Sequence, residues 1–159
     1  MRNIARLLLV LALVAAASPT LARGKAGSPI VKGGNFGLGL IIGGPGDWGA
    51  TGKVWLSRAT AFQAVLNLDD ALILQGDFLW HHYDIIQPSR GAWPIYLGIG
   101  GAILAEGDGG VAVRGPVGMD YIFDDVPVDL FVELAPYLWF FDGDTDLRLR
   151  AGIGARYFF

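Results

Sequence analysis

DLRLRAGIGARYFF, residues 146–159, decides how the rest of the chain is read. Alternate positions Leu147, Leu149, Ala151, Ile153, Ala155, Tyr157 and Phe159 are apolar and end in two aromatics. The interleaved set is Asp146, Arg148, Arg150, Gly152, Gly154, Arg156 and Phe158, with three arginines. A period of two with one greasy and one wet face is a β-strand. Three arginines are too many for a dry core, and the paired aromatics suit a membrane interface. The stretch is therefore expected to be the closing strand of an outer-membrane β-barrel.

Working backwards, the same alternation recurs in seven further segments, at 34–43, 52–58, 60–68, 72–83, 93–103, 111–123 and 126–141. Turn-forming residues punctuate them: Gly44-Pro45-Gly46-Asp47, Asp69-Asp70, a longer connection at 84–91, Glu106 to Gly110, Asp124-Asp125 and Asp142 to Asp146. Eight evenly spaced segments predict an all-β, eight-stranded antiparallel up-and-down transmembrane β-barrel over residues 34–159. An even strand number brings both ends to one side, the periplasm in this class. Phe36, Phe62, Trp80, Trp93, Tyr121 and Tyr157 all fall at that expected rim. Amphipathic rings favour the headgroup zone there. The competing folds are a soluble lipocalin-like barrel, which would also need helix, and a secreted sandwich.

The ending, apolar–x–apolar–x–Tyr157–x–Phe159, resembles the signal read by bacterial barrel-assembly machinery. From Gly34 to Phe159 the chain resembles the family of small bacterial outer-membrane barrels related in architecture to the OmpA transmembrane domain. That resemblance implies delivery by the assembly machinery, with Tyr157 and Phe159 as its signal, and supplies no catalytic residues.

Composition agrees with this reading. At 159 residues the chain makes one domain. It is 53% apolar, yet after residue 22 has no helix-length apolar run. Without cysteine it has no disulfide, thiol nucleophile or acylation site. Arg2, Arg6, the apolar run Leu7 to Ala17 and Thr20-Leu21-Ala22 predict a signal peptide over 1–22. Residues 23–33 then read as a flexible lead-in. Losing Arg2 and Arg6 leaves the mature chain more acidic than the formal −3 of the whole sequence. Nucleic acid is not an expected partner.

Two constellations stand out. The wet faces of the strands collect Lys53, Arg114, Arg148, Arg150 and Arg156 against Asp77, Asp120, Asp129 and Glu133. Buried ions need partners, and eight strands enclose only enough room for side chains. The set is expected to form a paired polar plug rather than an ion path. The outer turns hold Asp47, Asp69, Asp70, Glu106, Asp108, Asp142, Asp144 and Asp146. Alternate carboxylates at Asp142, Asp144 and Asp146 match half a calcium loop but lack its bidentate Glu. Good turn chemistry accounts for them equally. His81 and His82 point to opposite faces of a strand and cannot readily share a metal.

The expectation is a non-enzymatic, structural barrel of the bacterial outer membrane, with a plugged lumen, no cofactor, and lipid and assembly machinery as partners. The alternative is a barrel that binds divalent cations or an envelope or host partner through acidic turns. A lipid-modifying enzyme is the third reading and lacks a polar triad at the outer rim.

Overall fold

The computed structural model describes residues 30–44, 46, 48–67, 72–105, 109–141 and 143–159. The expected signal peptide, residues 23–29 and the turn acids Asp47, Asp69, Asp70, Glu106, Asp108 and Asp142 lie outside the described residues. The strands are β1 (Phe36–Gly43), β2 (Trp48–Trp55), β3 (Thr60–Asn67), β4 (Ile73–His82), β5 (Ile95–Leu104), β6 (Gly110–Arg114), β7 (Val117–Ile122), β8 (Val128–Phe141) and β9 (Asp144–Phe158). Every pairing is antiparallel. Apart from β6 and β7, sequence neighbours pair, and β1 pairs with β9. Both β6 and β7 lie between β5 and β8, as two pieces of one strand. The hydrogen bonds thus ring through 8 strands.

Two segments differ most from the sequence reading, and β9 begins at Asp144, inside the stretch read as a turn. The second strand begins at Trp48, where Gly49 and Ala50 hide any alternation, and it stops at Trp55. Leu56 to Arg58 instead make a turn, with the Leu56 and Ser57 amides donating to Thr60 O at 3.0 and 3.1 Å. The sixth segment is cut at Gly115-Pro116. Gly98 donates to Pro116 O at 2.8 Å, and Gly115 to Pro136 O at 3.3 Å. Neither bond can be returned, because proline has no N–H.

The ladder is staggered. From Ile103 one path runs through Val111 and Phe140 to Thr145. The other runs through Leu74, Leu66, Ala50 and Leu40 to Ala155. One circuit therefore slips by ten residues, from Thr145 to Ala155. With ~3.3 Å per residue and ~4.8 Å between strands, that slip tilts the strands by about 40° on a ring of about 8 Å radius. Calling the end with Phe36 and Phe158 the lower one, the lower strand ends come out nearly level. The upper ends climb from β1 to β9 by on the order of 15 Å, because strand lengths grow from 8 residues in β1 to 15 in β9.

The two faces are opposite in chemistry. Outward positions such as Leu40, Ile42, Leu74, Ile99, Val132 and Ile153 are exposed aliphatics. Inward positions carry Lys53, Gln63, Asp77, Arg114, Asp120, Asp129 and Arg156, all buried. Aromatic rings meet at the lower rim: Phe36 on Phe159 (5.5 Å between centroids), Phe78 on Trp80 (4.8 Å), and Trp93 on Tyr121 (5.2 Å).

Candidate functional site: a network of buried charge

Period-2 alternation aims every second side chain of each strand into the ring. At the lower level Arg156 is the hub, with 1% of its surface exposed. Its Nε donates to Asp129 Oδ1 at 2.9 Å, Nη2 to Asp120 Oδ1 at 2.9 Å, and Nη1 to Gln63 Oε1 at 2.5 Å. Lys53 Nζ donates to Asp120 Oδ2 and lies 3.0 Å from His81 Nε2. His81 Nε2 is in turn 3.1 Å from Asp120 Oδ2.

Gln63 carries the network upward, Nε2 donating to Glu133 Oε2 at 3.0 Å, where Tyr96 Oη also donates at 3.0 Å. Arg114 donates to Glu133 Oε1 and to Gln75 Oε1. Tyr137 Oη donates to Gln75 Oε1 at 2.6 Å, and Gln75 Nε2 to Asn67 Oδ1 at 2.9 Å. The chain of bonds is unbroken from His81 on β4 to Asn67 at the top of β3. The cations also lie against aromatic faces: Arg156 on Phe131 (4.0 Å), Arg114 on Tyr137 (4.7 Å) and Lys53 on Trp55 (4.3 Å). Such contacts strengthen once water is excluded. Gly154 makes the room: a Cβ there would sit 2.5 Å from the Phe131 ring.

Apolar clusters lie below and above the charges among the described residues. Below, Val31 packs fully buried against Trp55, Ala61, Ile122 and Phe158. Val31 belongs to the stretch expected to be a flexible lead-in, yet it fills the lower mouth, and Lys32 Nζ donates to Asp125 O at 2.9 Å. Above, Ile73, Ala102, Ala112, Ala135, Tyr137 and Trp139 form a second cluster. Tyr137, Trp139 and Phe141 stack along β8 within 7° and 13° of parallel.

Of the nine residues expected in the network, seven are buried in it: Lys53, Asp77, Arg114, Asp120, Asp129, Glu133 and Arg156. Asp77 is its loosest member, with only Arg114 Nε at 3.4 Å. Its carboxylate oxygens accept no hydrogen bond among the described residues. Arg148 and Arg150 are not in the network; both are exposed. They stand on β9 above the end of β1, paired with β8 on one side and with no described strand on the other, and Arg148 Nε instead bonds Asp146 Oδ2 at 2.6 Å. Alternation gave these two the right face but not their height.

The neutral linkers Gln63, Gln75, Asn67, Tyr96 and Tyr137 join the network although the pairing of charges does not select them. They stand on the same wet faces, and their alternation was the available signal. Tyr157 and Phe159 lie exposed at the lower rim. Asp144 is exposed and Asp146 engages Arg148. Among the described residues no three His, Asp or Glu side chains converge to hold a metal ion.

Fold and interior together define an all-β protein, an antiparallel sheet ringing through 8 strands around a buried network of charged and amide side chains. Comparison with protein-family models, with curated proteins and with solved structures yields no match.

Proposed function

We infer that this chain is an integral β-barrel of the bacterial outer membrane whose role is structural, its lumen plugged by side chains. The observation that carries this reading is the inversion of the two faces: aliphatics outward and exposed, charges inward and paired. In water such a surface would aggregate; in a bilayer it is the required arrangement. On β9 the outward apolar set runs from Leu147 to Tyr157. Ten residue steps of ~3.4 Å at a tilt of ~40° span about 26 Å, close to the ~25 Å apolar band of such barrels. The aromatic lower rim supports a periplasmic interface on that side.

The apolar layers above and below the charges favour a plug over a pore, so the barrel contributes to the envelope as a scaffold held in lipid. Its further partner is the assembly machinery during biogenesis, with Tyr157 and Phe159 as the signal. The test is fractionation with outer membranes together with gel mobility in detergent, unboiled against boiled. A faster unboiled band and no steady conductance in planar bilayers are expected. A mature protein soluble without detergent would overturn the membrane reading, and a large steady conductance would overturn the plug.

A further inference from the structure

Among the described residues the uneven upper rim leaves a notch. β9 continues to Asp144, but its β1 neighbour ends at Gly43, opposite Gly152, with a last bond from the Gly44 amide to Ala151 O at 2.9 Å. Among the described residues nothing pairs with β9 from Asp144 to Arg150 on that side. Outward, Leu147 and Leu149 are 71% and 64% exposed. Their band reaches as high as a bilayer's apolar thickness, whereas the wall formed by β1 stops short of it. Among the described residues no strand therefore stands beside Arg148 and Arg150 on the β1 side, level with Leu147 and Leu149. Cations at that depth require counter-charge. Arg148 has Asp146 at one nitrogen, with the rest of its guanidinium free of ion pairs. Arg150 has no ion pair among the described residues. Directly below, on the outer surface, runs an apolar groove of about 530 Å³ lined by Ile42, Ala151, Ile153, Val132 and Leu134.

We propose that this notch seats a phosphate-bearing lipid of the surrounding leaflet. The phosphate is held by the guanidinium groups of Arg148 and Arg150, and an acyl chain lies in the groove below. Guanidinium suits this task, since its planar fork matches phosphate oxygens. Met119 and Glu133 also border the groove, but its exposed lining is almost wholly apolar and suits a chain rather than a polar ligand. Asp146 orients Arg148 without covering its outer nitrogens.

The proposal rests on the membrane reading, and native mass spectrometry of the folded protein in neutral detergent separates the two. The probes are phosphatidylglycerol and phosphatidylcholine with identical chains. Wild type is expected to retain phosphatidylglycerol in preference, and Arg148→Gln with Arg150→Gln to lose that preference by about tenfold, as expected for losing charge-assisted bonds. Ala151→Phe, which fills the groove and keeps both charges, should weaken retention of the lipid as well. Equal retention of both lipids by wild type, or an unaltered preference in the double variant, would overturn the proposal. So would full displacement of the lipid by millimolar inorganic phosphate, which would mark a plain anion site. Solubility of the protein without detergent would instead bring down the membrane reading itself.

Discussion

Arg156 and Arg148 share a strand and a face, yet they sit in different media. Arg156 is fully desolvated and bonded to two carboxylates and an amide. Arg156→Met should cost about 3–5 kcal/mol, because Asp129 would be left buried without its partner and Asp120 would keep only Lys53 and His81. Arg148→Ala breaks a half-exposed pair and should change stability by less than ~1 kcal/mol. Urea unfolding in detergent micelles checks both, and equal effects would contradict the different burial of the two arginines. Asp77 gives the opposite sign. Its carboxylate has one long contact, to Arg114, whose other nitrogens serve Glu133 and Gln75. Asp77→Asn should be neutral or stabilising in the same assay, since it removes a poorly partnered buried charge. A loss of several kcal/mol would show Asp77 to be a full member of the network.

Among the elements, the two prolines at the β6–β7 break and on β8 carry a prediction. Pro116 and Pro136 each accept a ladder bond without donating one back. Pro116→Ala with Pro136→Ala supplies N–H groups facing Gly98 O and Gly115 O in the existing register. Each new bond contributes about 1 kcal/mol, offset by ~0.4–1 kcal/mol for the more flexible unfolded chain. Stability should change little, but the amides of both residues should become protected from hydrogen exchange; rapid exchange would refute the register at this point. Alternation revealed this segment as one strand, because side-chain period is blind to which backbone groups are bonded.

The same blindness explains the other misreadings. Trp48 to Thr51 pairs with β1 although small residues erase its pattern, and Val31 plugs the mouth from a stretch with no pattern. The strand count, faces and aromatic rim were legible because each is written in a period of two. Heights were not, since they depend on stagger summed over the whole circuit. Phe158 illustrates the difference. It falls on the wet face by alternation, but at its height the filling is apolar, and it is fully buried against Val31 and Trp55. Phe158→Ala should cost ~3–5 kcal/mol, and Phe159→Ala at the exposed rim about 1 kcal/mol. If the two variants unfolded at the same urea concentration, the lower plug would not be a packed layer.

For the whole molecule, the seam between β1 and β9 differs in kind from every other junction. With β6 and β7 taken as one strand, all the other pairs join strands adjacent in sequence, whereas this one brings Gly37 against Phe158. Gly39 sits at the seam, and a Cβ there would run into the Ala155 carbonyl of β9. Gly39→Val should block closure while leaving the β1–β2 hairpin able to form. The expected result is loss of the faster unboiled gel band, and a variant that keeps it would show that the seam tolerates side chains. The seam also sets the order of events in folding. Hairpins of neighbouring strands form at low entropic cost, but the last contact must span more than a hundred residues and pay loop closure before it gains anything. Until then the molecule is an open sheet with two unpaired edges, able to pair with other chains. Refolding should therefore end in a slow, concentration-sensitive phase in which closure competes with association.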